Sequence, residues 1–183
     1  MYQQGQQQQQ AQGADINYLR SLFQNVDKNR SGAINALELQ GALSNGTWKP
    51  FNLETVNVMI RMFDRQGRGS VSFDEFTSLW NYLTTWLNCF QSFDTDRSGS
   101  IDRQELSNAL VRFGYRLGQP TVDVILMKYD RDRKGSINFD DFMLCCLGLQ
   151  SLTDVFRRYD TDRDGMINIQ YDEFIKAVIP LLA

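Results

Sequence analysis

From Ile16 onward, apolar residues recur at three- and four-residue steps, in runs that break off at an aspartate and resume about a dozen residues later. Phe76, Leu79, Trp80, Leu83, Leu87 and Phe90 trace one helical face, and Tyr82, Trp86, Cys89 and Phe93 trace a second face of the same segment. A surface helix needs one apolar stripe. Two stripes imply packing from both sides, or one face left as a groove. The break between runs has a fixed grammar: an Asp, a Gly five residues on, and a β-branched residue two further. Five breaks begin at Asp27, Asp64, Asp94, Asp130 and Asp160, at steps of 37, 30, 36 and 30 residues.

That alternation predicts the connectivity. A long step holds two helices and a linker, at residues 45–50 and 114–120, each with Gly and Pro as breakers. A short step leaves about 18 residues, one helix of about 27 Å. One helix therefore leaves the second break and enters the third, and another joins the fourth to the fifth. Ile34, Val71, Ile101, Ile137 and Ile167 share one position of the break and predict short antiparallel bridges between paired units. The expected fold is all-α: five helix–loop–helix units with about eight helices, at about 15–46, 52–84, 84–114, 120–150 and 150–183. Residues 1–14 are Gln-rich and offer little to bury, so a disordered tail is expected ahead of a folded domain at 15–183.

Composition narrows the chemistry. The chain has 183 residues, a net charge of −3 and no His. Without His, neither a Ser-His-Asp or Cys-His nucleophile nor a His-ligated zinc site can be assembled, and no enzymatic role is expected. No long basic run is present, which argues against nucleic-acid binding. Cys89, Cys145 and Cys146 make no disulfide framework, which predicts a reducing, cytoplasmic compartment. No apolar h-region opens the chain and no stretch of about 18 apolar residues follows, so neither a signal peptide nor a transmembrane segment is expected.

The breaks themselves carry the candidate chemistry. Calcium takes six to eight hard oxygens, and a 12-residue loop supplies them from positions 1, 3, 5, 7 and 9 and a bidentate Glu at 12, with Gly at 6 for the turn. Loop one, DKNRSGAINALE, offers Asp27, Asn29, Ser31, the Ala33 carbonyl, Asn35 and Glu38. Loop three, DTDRSGSIDRQE, offers Asp94, Asp96, Ser98, the Ser100 carbonyl, Asp102 and Glu105, with more acidic side chains and hence the tighter expected site. Loop five, DTDRDGMINIQY, supplies Asp160, Asp162, Asp164 and the Met166 carbonyl, but position 12 is Tyr171 and the acid comes late, at Glu173. It is expected to hold a metal weakly, with Mg2+ an alternative to Ca2+. Loop two puts Gln66 and Arg68 at positions 3 and 5, and loop four puts Lys134 at 5 and the short Asp141 at 12. A cation among the ligands repels the ion, so both are expected to be structural.

Five units leave one unpaired. The fifth would present Leu152, Phe156, Ile167, Ile169, Phe174 and Val178 to water, and such a patch marks an interface. The expected solution is a dimer through unit five, with its own copy or with a related chain.

Five such loops in register, with the segments ALSNGTWKPFN, FGYRLGQ and LTDVFRRYDTDRDG, resemble the penta-EF-hand family over about residues 15–183. The resemblance is greatest to its apoptosis-linked calcium adaptor branch, with peflin, sorcin, grancalcin and the calpain small subunit more distant. It implies a mainly helical fold of eight helices, dimerisation through hand five, and calcium at hands one and three. It further implies apolar pockets that open with calcium for Pro-rich segments of partners in membrane traffic, endosomal sorting or cell-death signalling. Peripheral calcium-dependent membrane association, and recruitment to endosomes, endoplasmic reticulum exit sites or the nucleus, come with it. Carried over to this chain, the pocket residues are Trp48, Phe51, Trp80, Tyr82, Trp86, Phe113, Tyr115 and Tyr171, with Arg116 as a lever moved by calcium. The Gln-rich tail and Arg112 depart from the family pattern. The rival expectations are a regulatory subunit of a calcium-dependent protease and a plain calcium buffer.

Overall fold

The computed structural model describes residues 15–44 and 51–181. The expected tail and the whole of the first linker, Trp48 included, lie outside the described residues. Contacts divide the chain into two units, residues 1–85 and 86–183.

In the first unit, α1 (Ile16–Val26), β1 (Ile34–Asn35) and α2 (Ala36–Ser44) make hand one, and α3 (Leu53–Phe63) and β2 (Ser70–Val71) lead hand two into α4 (Phe73–Phe93). Asp15 and Asn52 cap α1 and α3 by accepting backbone N–H bonds at 2.8 and 2.7 Å. β1 and β2 pair antiparallel, with Ile34 opposite Val71 and both fully buried. Phe23 packs edge-on to Phe73 and Phe76 with ring centroids 5.5 Å away in each case. Leu19, Leu39, Met59 and Leu79 complete a dry core, and each such side chain contributes about 2–3 kcal/mol by leaving water.

In the second unit, β3 (Ile101–Asp102), α5 (Arg103–Arg112), α6 (Gln119–Tyr129), β4 (Ser136–Ile137), α7 (Phe139–Tyr159) and α8 (Tyr171–Val178) follow, then a 3-10 turn at Ile179–Leu181. Ile101 pairs with Ile137 across β3 and β4. The core gathers Phe90, Phe93, Leu106, Leu110, Ile137 and Phe142. Gly114, at φ 92, turns the chain out of α5, and Pro120 sits in the first turn of α6, where its missing N–H costs nothing.

The fold is the expected one: eight α-helices and two short strand pairs among the described residues, with α4 and α7 each 21 residues long and shared between consecutive hands. The two stripes of α4 fare differently. In the first, Phe76, Leu79, Leu83 and Phe90 are buried and Trp80 and Leu87 half-buried; in the second, only Phe93 is buried, and Tyr82, Trp86 and Cys89 are half-buried. In α7 burial is uneven along the axis: every buried residue, Asp140 to Cys146, lies in the first half. Gly148 follows, and a β-carbon there would stand 2.8 Å from the Tyr129 hydroxyl. No helix among the described residues is long and apolar enough to cross a membrane.

Candidate metal centres

Each loop is built by its first aspartate twice over. The backbone N–H of Asp27, Asp64, Asp94, Asp130 and Asp160 closes the last turn of the incoming helix at 2.8–3.0 Å. The side chain then accepts the N–H of the Gly at position 6, at 2.8 Å for Gly32, 2.6 Å for Gly69, 3.0 Å for Gly99, 2.6 Å for Gly135 and 3.2 Å for Gly165. Those glycines sit at φ 72–84, a region L side chains enter only at a cost, which is why the turn demands glycine. In loops one to four the second carboxylate oxygen accepts a further loop N–H, from Ser31, Gln66, Ser98 and Lys134.

In loop one the oxygens converge. Asp27 Oδ1 accepts the Ser31 N–H at 2.9 Å, and the Ser31 hydroxyl donates to the Ala33 carbonyl at 2.8 Å. Glu38 accepts the N–H groups of Asn29 and Asn35 at 3.4 and 3.1 Å, and its own N–H returns to Asn35 Oδ1 at 3.0 Å. Loop three repeats the pattern. Ser98 N–H bonds Asp94 and Asp96 at 2.9 Å each, and the Ser98 hydroxyl donates to the Ser100 carbonyl at 2.9 Å. The Ser98 N–H holds the Asp96 carboxyl below its ordinary range, so it stays ionised. Glu105 is buried and accepts from the Thr95 N–H and hydroxyl at 2.7 and 2.8 Å. Oxygens of Asp94, Asp96 and Glu105 lie within 4.8 Å of one another, as do those of Asp160, Asp162 and Asp164 in loop five. Carboxylates this close repel unless a cation lies between them, and an all-oxygen set suits a hard ion. The residues present therefore fit calcium.

Position 9 has a second use that the loop pattern alone does not reveal. Asn35 and Asp102 cap the outgoing helices, and Asp102 with Glu105 forms a full capping box. The signal for it is an Asn or Asp three residues before a Glu.

Loops two and four hold their own cations. Arg68 reaches Glu75 at 3.2 Å, and Ser72 N–H and Arg65 N–H complete that carboxylate's shell, with Ser72 the chief cause of its lowered pKa. A guanidinium stands where an ion would have to bind. In loop four Arg131 pairs with Asp141 at 2.8 Å, and Lys134 pairs with Asp132 at 3.3 Å. Asp141 is nevertheless buried beside Asp140, and burial first, then that neighbour, pushes its pKa from 3.8 to about 6. The folded state thus favours the protonated acid: its contribution is full below pH 3.8 and is lost as pH rises through about 6. Asp141→Asn is expected to raise the melting temperature of the calcium-free protein at pH 7.5 by several degrees, and this gain should shrink by pH 4.5; paired calorimetric scans check it.

In loop five Tyr171 opens α8 and is exposed, and the late Glu173 pairs with Lys176 at 3.2 Å instead of closing the loop. Hand five has no strand partner among the described residues. Leu152 and Phe174 are exposed, and Phe156, Ile167, Ile169 and Val178 are half-buried. Of the candidate pocket residues, Trp80, Tyr82, Trp86 and Tyr115 are half-buried, Phe113 and Arg116 are exposed, and Phe51 is buried in the first unit's core. Trp80 packs on Phe76 and Tyr82 on Phe63, at 5.7 and 5.4 Å between ring centroids.

A family profile described as an EF-hand domain pair matches residues 16–80 and 84–145, and an EF-hand profile matches 152–177. Human sorcin (Homo sapiens) is 46% identical over 82% of this chain and 77% of its own length. Sorcin of Schistosoma japonicum is 44% identical over 92% of this chain and 98% of its own. Grancalcin of Mus musculus is 39% identical over 83% and 70%. Among solved structures, a homolog of programmed cell death 6 protein from Leishmania major Friedlin superposes with a TM-score of 0.80 at 32% identity, covering 89% of this chain and 93% of the other. With five loops of one register, oxygen sets in loops one and three that fit the ion, and relatives along most of its length, the chain is a calcium-binding member of the penta-EF-hand family.

Proposed function

We propose that this chain is a calcium-switched adaptor, with the sensing sites at hands one and three and the fifth hand joining it to a second chain. The observation that carries the reading is the contrast between loops: one and three converge oxygen donors without a cation, whereas two and four fill the same place with Arg68 or Arg131. The residues assigned to the ion are Asp27, Asn29, Ser31, Ala33, Asn35 and Glu38 in hand one, and Asp94, Asp96, Ser98, Ser100, Asp102 and Glu105 in hand three. Asp160, Asp162, Asp164 and the Met166 carbonyl are assigned to a weaker site in hand five, for Ca2+ or Mg2+.

Calcium supplies a divalent charge that six or more oxygens share. Glu38 and Glu105 are bonded to backbone N–H groups of their loops. To hold the ion they would exchange these partners for it, and α2 and α5, in whose first turns they stand, would move with them. Ser31 and Ser98, whose hydroxyls donate to the Ala33 and Ser100 carbonyls, would have to turn those protons away to offer the ion an oxygen. The half-buried Trp80, Tyr82 and Trp86 on α4 and the exposed Phe113 are the aromatic surfaces open to such a shift. Aromatic surfaces suit Pro-rich segments, which lose little entropy on docking. Partners in membrane traffic, endosomal sorting or cell death follow from the apoptosis-linked branch. The Leishmania major neighbour supports that branch, while sorcins and a grancalcin stand among the chain's relatives in sequence.

Two measurements test the switch. Tryptophan emission is expected to shift over roughly 0.1–10 µM calcium, and a Pro-rich peptide resin is expected to retain the chain in calcium and release it in chelator. Emission and retention both indifferent to calcium would leave a plain buffer.

A further inference from the structure

One face of α1 has no part in ligating the ion or in moving a helix, apart from the aspartate at its end. Arg20, Phe23, Gln24 and Asp27 stand at i, i+3, i+4 and i+7, so they share a face. With Arg30 and Gly32 of loop one and Phe73 at the start of α4, they line a cavity of about 530 Å³. Its size lies within the range of ligand pockets. Phe23 and Phe73, edge to face, form an aromatic wall. The Arg20 guanidinium lies 4.7 Å from the Phe73 ring centroid, a contact that uses none of its five N–H donors. Among the described residues neither Arg20 nor Arg30 makes an ion pair.

The same cavity includes Asp27, the first ligand assigned to loop one. Loop one carries only two carboxylates, Asp27 and Glu38, whereas loop three carries four, Asp94, Asp96, Asp102 and Glu105. With Lys28 and Arg30 counted, loop one is neutral without the ion and carries two positive charges with it, whereas loop three, with Arg97 and Arg103 counted, goes only from −2 to neutral. Without the ion, Asp27 and Glu38 offset Lys28 and Arg30. With it, Arg20 and Arg30 face the cavity uncompensated.

We infer that the cavity beside loop one is a calcium-gated receptor for an acidic peptide segment bearing an aromatic side chain, gated by charge and not by helix movement. The aromatic ring lies against Phe23 and Phe73, and the flanking carboxylates meet the two guanidinium groups, which favour bidentate carboxylate pairing. The inference rests on loop one taking calcium.

The test uses the full chain and a fluorescein-labelled Glu-Glu-Phe-Glu-Glu peptide, with Gln-Gln-Phe-Gln-Gln as control, read by anisotropy in calcium and in chelator. Calcium is expected to raise affinity for the acidic peptide about tenfold at low salt, with the gain falling at high salt. Arg20→Gln with Arg30→Gln should abolish that gain, while calorimetry still shows calcium uptake at loop one, no weaker than in the parent. Equal affinity for both peptides, or full binding by the arginine double variant, overturns the proposal. Competition by vesicles containing phosphatidylserine, lost in the same double variant, would assign the cavity to a lipid headgroup and also overturn it. Should Glu38→Gln leave calcium uptake unaltered, the premise about loop one fails; intact uptake with no peptide gain sinks this inference alone.

Discussion

Replacing Glu38 and Glu105 together by Gln is expected to weaken calcium binding at hands one and three by about 100-fold or more and to remove the tryptophan response. Partners that merely orient a ligand are worth 10–100-fold in metal affinity, and these two carboxylates are assigned as ligands themselves. The substitution is a clean one. Glu105 stands three residues into a capping box with Asp102, and Gln serves that box equally well. Glu38 bears the same relation to Asn35. Helix starts should survive, and the circular dichroism of the calcium-free variant should match the parent. Isothermal calorimetry then separates the sites: Glu38→Gln alone leaves the more acidic loop three, and Glu105→Gln alone leaves loop one. Retention of both high-affinity sites in the double variant would show that the ion is held elsewhere.

The second large effect is expected at hand five. Leu152→Asp with Phe174→Asp should convert a dimer into a monomer at about 10 µM chain, weakening association by at least 100-fold. Truncation of an anchor residue at an interface commonly costs 2 kcal/mol or more, and a buried unpaired charge costs further. Leu152 is 48% exposed and Phe174 43% exposed, so both lie outside the buried core of the single chain. Ile179 and Met166 are exposed on the same hand, and no side chain of α8 is buried. Sedimentation velocity of the parent and the variant checks the outcome. A parent that sediments as a monomer, or a variant that remains a dimer, removes hand five from the assembly.

Much of this architecture is legible in the amino-acid sequence. Loop spacing alone requires α4 and α7 to serve two hands each, because about 18 residues cannot hold two helices and a turn. The β-branched position predicts the Ile34–Val71 and Ile101–Ile137 pairs. Side-chain destinations are less legible. Arg68 visibly spoils loop two, but its pairing with Glu75 is hidden, since spacing says nothing of where a long flexible side chain ends. Phe51, expected to line a groove, is 3% exposed, because periodicity assigns a residue to a face without saying what covers that face. The cavity beside loop one is hidden for the same reason: Arg20 and Phe73 are 53 positions apart and meet only in the fold.

The uneven burial along α7 separates what the covalent repeat joins. Its first half is anchored in the core and its second half is not, so hands four and five share a rod without sharing stability. Fraying beyond Leu149, which still packs against the core, would expose backbone without opening the core, and such regions open at free energies well below global unfolding. Within the second unit, hand five is thus expected to be the first part to open, and a partner covering Leu152 and Phe174 would tighten local folding and assembly together.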